Sequence, residues 1–179
     1  MSIVRALRRW TLDPGPSPRD RRIRNAVVST SAVAATAVLG SLATEPEGGW
    51  YATLAKPSWQ PPRAAFPIAW TLLYVDIAAT STLVLNELER RGDAEAAHRF
   101  RIALGANLVL NAGWCWLFFR GQNLPASAVV AGVLAASSTS LAVSAGRVRG
   151  RYGVLLGGYA AWTAFATALS GAIWKLNAG

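Results

Sequence analysis

Residues 152–174 read YGVLLGGYAAWTAFATALSGAIW, 23 positions without one charged side chain. A hydrocarbon core of about 30 Å takes roughly 20 helical residues to cross at 1.5 Å each, so this stretch is long enough to span a bilayer. Four stretches of the same kind precede it, from Ala26 to Thr44, Phe66 to Asn86, Ile102 to Phe119 and Leu124 to Gly146. Of all 27 charged side chains only Asp76 lies inside any of the five. No strong period-two alternation runs through them, which argues against a membrane β-barrel. The pattern predicts an all-α membrane protein, a five-transmembrane-helix bundle over residues 26–177. Its helices are expected at 26–44, 66–86, 102–119, 124–146 and 152–174, behind a basic tail of residues 1–25 and with a long connection at 45–65.

Composition points the same way. Hydrophobic residues make up 53% of the 179 and charged residues 15%, against about 25% charged in an ordinary soluble domain. This disfavours a free-standing soluble enzyme, and the apolar content with 8 Trp, 5 Phe and 4 Tyr excludes a long disordered chain. One Cys, one His and one Met leave no disulfide framework, zinc cluster or copper site to be assembled within one chain, so no metal site is expected.

A net charge of +9 invites a nucleic-acid reading until the positions are considered. Seven arginines precede the first apolar stretch (Arg5, Arg8, Arg9, Arg19, Arg21, Arg22, Arg24). Four lie between the second and third (Arg90, Arg91, Arg99, Arg101) and three between the fourth and fifth (Arg147, Arg149, Arg151). The alternate connections and the C-terminal end hold only Lys56, Arg63, Arg120 and Lys175. Basic residues of short loops are retained in the cytoplasm, so the split of 14 to 4 places the N-terminus there and the C-terminus on the far side. The charge is a topology signal, and no nucleic-acid partner is expected. In the tail, Ile3, Leu7 and Trp10 stand at helical spacing among arginines, suited to anionic headgroups. Pro14, Pro16 and Pro18 are expected to stop a helix and stiffen the linker. Ser41-Leu42-Ala43 resembles a signal-peptidase site, but the 19 apolar residues of the first stretch exceed a signal peptide's usual 7–15, so it reads as a retained helix.

Small residues recur every fourth position: Ala32, Thr36, Gly40; Gly132, Ala136, Ser140, Ser144; and Ala160, Ala164, Ala168, Ala172. Such ladders let backbones approach closely in lipid, within a bundle or between two copies. Aromatic and amide residues also share helical faces. Trp70, Tyr74, Ile77 and Ser81 align, as do Asn107, Asn111, Trp114, Cys115 and Phe118, and Tyr159, Trp162, Phe165, Ala166, Leu169 and Ile173. Flat aromatic walls with amides that need partners suit a cavity for a flat ligand, open toward the non-cytoplasmic side. The competing reading is an interfacial aromatic belt with the Asn pair merely bonding helices together. The connection 45–65 is rich in proline and carries Trp50 and Trp59, the makings of an ordered lid over the bundle mouth.

Within that connection the run Trp50-Tyr51 to Lys56-Pro57-Ser58-Trp59-Gln60-Pro61-Pro62, followed by Phe66-Pro67 and Trp70-Thr71-Leu72-Leu73-Tyr74, resembles the translocator protein family, also called TspO/MBR or tryptophan-rich sensory proteins. Leu110-Asn111-Ala112-Gly113-Trp114 with Phe118-Phe119, and Tyr159 with Trp162, Phe165-Ala166-Thr167 and Leu169, extend the likeness from about Gly40 to Asn177. The resemblance implies a five-helix bundle, commonly a homodimer, in the cytoplasmic membrane of a bacterium. It would bind protoporphyrin IX or haem as ligand, with no cofactor required, and act in porphyrin sensing, transport or disposal. It assigns ligand binding to Trp50, Lys56, Pro57, Trp70, Asn111, Trp114, Phe118, Trp162, Phe165, Ala166 and Leu169. Trp70 and Trp162 would be catalytic if the chain degrades porphyrin in light, which is one alternative; a small transporter or scaffold without a tetrapyrrole role is the other. The chain departs from the family pattern at Gly171 and Ala172, where animal members carry the paired tyrosines of a sterol motif. It departs again at Gly158 and Trp116, where proline is usual, and at Val130, where animal members carry an acid.

Asp76 has two readings, a proton-linked or ligand-contacting acid and, preferred, a protonated acid hydrogen-bonded to hydroxyls of a neighbouring helix, since a charge at mid-bilayer costs about 2.5–3.5 kcal/mol on insertion scales. His98 reads as a surface residue, and Cys115 as buried packing. Lys56 or Arg63 would stand near porphyrin propionates.

Overall fold

The computed structural model describes residues 17–44 and 49–178. The tail positions Ile3, Leu7, Trp10, Pro14 and Pro16, and the start of the long connection, lie outside them. Among the described residues six α-helices follow in order: α1 (Pro18–Ala43), a one-turn α2 (Gly49–Thr53), α3 (Ala65–Arg90), α4 (Ala94–Cys115), α5 (Leu124–Val148) and α6 (Gly150–Leu176). A π-helical turn, Trp116–Arg120, continues α4. All but α2 are long and apolar enough to cross a membrane, α4 together with its π-turn. Their outer faces carry bare aliphatic side chains such as Leu72, Val75, Val109, Val129 and Val154, the exposure expected where lipid is the solvent.

Helix boundaries follow capping chemistry rather than the edges of the apolar runs. Helix α1 begins at Pro18, eight residues before Ala26. Ser17 and Asp20 close a capping box there, and Pro18 occupies the first turn, where its missing N–H costs nothing. Proline starts this helix where the sequence suggests that it stops one. Helix α3 runs on to Arg90, and α4 starts at Ala94 because Asp93 accepts from the Ala96 N–H at 2.9 Å. The turn between them needs a left-handed residue, supplied by Gly92 at φ 75°. Asn123 caps α5 in the same way, at 3.0 Å from the Ala126 N–H. Arg149 alone, in extended conformation, separates α5 from α6.

Helices α5 and α6 form a tight antiparallel hairpin with the most extensive interface of the bundle, while α1 packs on α3 and α4, and α3 on α6. A Cβ built on Gly153 would stand 2.8 Å from the Gly146 Cα and 3.0 Å from the Ala142 carbonyl oxygen, so the hairpin closes only with glycine there. Of the small-residue ladders, Thr36 and Gly40 of α1 are buried, whereas Ala136, Ser140, Ala164 and Ala168 face outward. An apolar core of Val84, Leu85, Leu88, Phe100, Leu104, Leu108, Tyr152 and Leu156 fills the half of the bundle nearest the arginine-rich connections. At that end Glu89 holds Arg24 and Arg101, and Asn25 donates to Asn86 at 3.0 Å, tying α1, α3 and α4 together. Asp76 accepts from Thr80 at 2.8 Å, one turn along its own helix rather than across to a neighbour. His98 is exposed.

Candidate functional site

The opposite half of the bundle is hollow. A cavity of about 490 Å³ lies among all five long helices, within the 300–1,000 Å³ usual for small-molecule sites. Two aromatic groups wall it. On the α3 and α6 side, Trp70 and Trp162 meet nearly at right angles (88°) with centroids 6.5 Å apart, flanked by Tyr74, Phe66 and Phe165. On the α4 side Trp114 stacks on Phe118 at 5.1 Å and 21°, and Phe119 closes edge-on against both. Phe118 reaches this position from the π-turn, whose extra residue per turn re-aims side chains relative to a regular helix. Trp116 Nε1, on the outer side of the same turn, donates to the Leu39 carbonyl of α1 at 3.1 Å.

Below the aromatic walls runs a hydrogen-bonded chain that crosses four helices. Tyr74 Oη donates to Asn111 Oδ1 at 2.9 Å, and Asn111 Nδ2 donates to Tyr159 Oη at 3.1 Å. Tyr159 Oη donates in turn to Asn107 Oδ1 at 2.9 Å, and Asn107 Nδ2 donates to Ser137 and Ser138 at 3.1 Å. Both amides and Tyr159 are fully buried, so the network meets the requirement that polar groups in an apolar interior find partners. Asn111 belongs at once to this network and to the cavity wall.

The described part of the long connection, from Gly49 onward, packs against the aromatic walls. Trp50 and Tyr51 of α2 pack edge-on against Phe118, and Trp59 packs against Phe165. Asn177 pins the segment from beyond α6: the Ala55 N–H donates to Asn177 Oδ1 at 3.0 Å, and Asn177 Nδ2 donates to the Ala55 carbonyl at 2.9 Å. Lys56 is spent inside the lid. Its Nζ donates to the carbonyls of Tyr51 at 2.6 Å and Leu54 at 3.0 Å and sits 4.6 Å from the Tyr51 ring centre. Burial, then the nearby Arg63, hold its pKa below the usual lysine value. Arg63 is exposed and lies on the cavity wall.

Of the residues singled out in the sequence, Trp70, Asn111, Trp114, Phe118, Trp162, Phe165, Ala166 and Leu169 line one cavity. Trp50, Lys56 and Pro57 do not line it: Trp50 stands behind Phe118 as support, and Lys56 and Pro57 belong to the lid. The wall also includes Gly40 and Ser41 of α1 with its C-cap Thr44, Tyr51 of α2, Arg63 of the connection, Pro67 of α3, and Cys115, Ala131 and Leu134.

Residues 27–175 match the model of the TspO/MBR family. The chain belongs to that family. Among curated TspO/MBR relatives, the tryptophan-rich protein TspO of Chlorobaculum tepidum is 33% identical over 77% of this chain and 86% of its own length. Protein CrtK of Rhodobacter capsulatus is 33% identical over 74% of this chain and 81% of its own. The human translocator protein is 33% identical over 73% and 76%. The TspO/MBR match runs from early in α1 to the end of α6 and so takes in every described residue of the cavity wall. The wall residues that the sequence faces did not mark include Ser41 and Thr44 at the end of α1, Tyr51 of the lid, and Ala131 and Leu134 of α5. The missing side chain at Gly40, on the α1 ladder of small residues, is a usable signal: a Cβ there would lie 3.3 Å from Cys115 Sγ and 3.9 Å from Tyr74 Oη, inside the site.

Proposed function

We propose that this membrane protein binds a tetrapyrrole, protoporphyrin IX or haem, in the aromatic cavity beneath the lid, and acts in its sensing, transport or disposal. The observation that carries the reading is the pair of aromatic walls on a single cavity: Trp70 and Trp162 on one side, and the parallel Trp114 and Phe118 on the other. A flat conjugated macrocycle gains both apolar burial and ring-face contact from such walls. Two polar features suit its edges. Arg63 at the rim offers a guanidinium to a propionate. The Trp114 Nε1–H is buried without an acceptor among the described residues, a cost that a ligand acceptor would relieve.

We place the arginine-rich end in the cytoplasm of a bacterial cell and the lid on the far side, on the strength of the 14 to 4 split of basic residues. A homodimer is part of the same proposal, supported by the outward small residues Ala136, Ser140, Ala164 and Ala168. Titrating purified protein with protoporphyrin IX in the dark tests the binding: tryptophan emission should fall saturably as the cavity fills. Illumination separates binding from turnover. Trp70 and Trp162 lie in ring contact with one another, so a second reading, photo-oxidative degradation through these indoles, predicts a new chromophore in light that Trp70→Phe and Trp162→Phe abolish. Unchanged porphyrin in light leaves binding alone.

A further inference from the structure

The end of the bundle remote from the cavity carries a cluster that porphyrin binding does not use. The Glu87 side chain, only 8% exposed, accepts from three guanidiniums. Arg90 donates through Nε at 3.0 Å and Nη2 at 2.7 Å, Arg91 through Nε at 3.0 Å and Arg149 through Nη2 at 3.1 Å. These arginines come from the last turn of α3, the residue after it, and the α5–α6 junction. One sunken carboxylate thus gathers cations that would otherwise repel one another, and Arg91 is oriented further by its bond to the Val148 carbonyl at 2.6 Å. Three guanidiniums against one carboxylate leave two positive charges in excess. Their side chains are 61%, 41% and 41% exposed, so all three remain accessible from solvent.

We propose that Arg90, Arg91 and Arg149, held around Glu87, form a binding site for the phosphate of an anionic phospholipid headgroup. Guanidinium forks match the paired oxygens of a phosphate, and a set already fixed by a buried partner loses little freedom on binding it. Position selects a lipid over free phosphate. The cluster stands at the ends of three membrane-spanning helices, at the level of headgroups. Beside it the exposed Val143, Val154 and Leu155 give acyl chains an apolar surface to follow. The site is independent of what fills the aromatic cavity.

Delipidated full-length protein in neutral detergent can be titrated with short-chain phosphatidylglycerol, with phosphatidylcholine of the same chains, and with inorganic phosphate, counting bound molecules by native mass spectrometry. Wild-type protein should retain phosphatidylglycerol in preference to phosphatidylcholine. Arg90→Gln should weaken that binding about tenfold, the worth of one good charge-assisted fork. Arg99→Gln removes the same charge from the same end, at a 63% exposed side chain paired with Glu95, and should change it less than about twofold. Glu87→Gln separates a built site from general attraction. It raises the net charge by one, so a merely basic surface would bind more tightly, whereas a site organised by the carboxylate binds more weakly. Equal losses for Arg90→Gln and Arg99→Gln, or no preference between the two lipids, would overturn the proposal. So would tighter binding by a folded Glu87→Gln variant, or displacement of the lipid by inorganic phosphate as readily as by phosphatidylglycerol. If Glu87→Gln fails to fold, the two arginine variants still decide.

Discussion

Asn177 offers the sharpest test of how the lid is held, because it spends both ends of its amide on the backbone of Ala55 and a further bond on the Ile173 carbonyl at 2.7 Å. Asn177→Ala removes the lid's polar tie to α6 while leaving the aromatic contacts of Trp59 and Trp50 in place. Hydrogen exchange should quicken at Ala55 and its neighbours, by about fivefold for a loss of about 1 kcal/mol, with exchange in the bundle core unchanged. Uniform acceleration across all helices would mean that Asn177 supports the fold instead. Within the buried network, Asn107→Ala takes from Tyr159 Oη the acceptor of its proton, while its bond from Asn111 Nδ2 remains, and takes from the Ser137 and Ser138 hydroxyls their amide donor. A loss of about 0.6–1.7 kcal/mol is expected in the membrane, measurable as a lower unfolding midpoint in denaturing detergent. Residues on helical faces were legible in advance because a 3.6-residue period states which side chains look the same way. That rule found Trp70, Asn111, Trp114 and Trp162. It has no purchase on Lys56, whose ammonium folds back on the carbonyls of its own loop, or on Arg63, which reaches the cavity from a connection with no helical period.

Helices obey the same division between what periodicity states and what caps and close approaches add. The five apolar runs located five helices, since bilayer thickness fixes the minimum length. The helices begin up to eight residues before those runs, because polar first turns at Pro18 and Ala94 are stabilised by Ser17, Asp20 and Asp93 rather than by hydrophobicity. Glycines within α6 divide by environment. Gly153→Ala drives a methyl into the backbone of α5 and should destabilise the hairpin by about 1–3 kcal/mol. At Gly158 an added methyl would meet nothing within 4 Å, so Gly158→Ala should be neutral or stabilise by up to about 1 kcal/mol through helix propensity. Thermal midpoints of the two variants check this directly, and equal shifts would refute the hairpin geometry. The π-turn after Cys115 was not legible, since nothing in the run Trp116–Arg120 distinguishes a π-turn from another turn of α-helix. Its consequence is that Phe118 is buried under the lid and Trp116 is bound to α1.

At the scale of the whole molecule the bundle separates its tasks. Its arginine-bearing end is packed solid and clamped by Glu87 and Glu89; its other end is hollow, aromatic and covered. If the basic end is cytoplasmic, a reporter fused after Gly179 should be active only outside the cytoplasm, and a cytoplasmic signal would invert the assignment. The central claim is that the hollow end is the tetrapyrrole site, and filling it tests that most directly. Ala166 lines the cavity between Trp162 and Leu169 on the inner face of α6. Ala166→Trp should occupy the space between the aromatic walls while leaving the buried network untouched. Equilibrium titration with protoporphyrin IX in the dark, followed by porphyrin absorbance, is predicted to show saturable binding for the wild-type protein and a loss of at least about tenfold in affinity for a folded Ala166→Trp variant. Undiminished binding by that variant would contradict the account and place the porphyrin elsewhere.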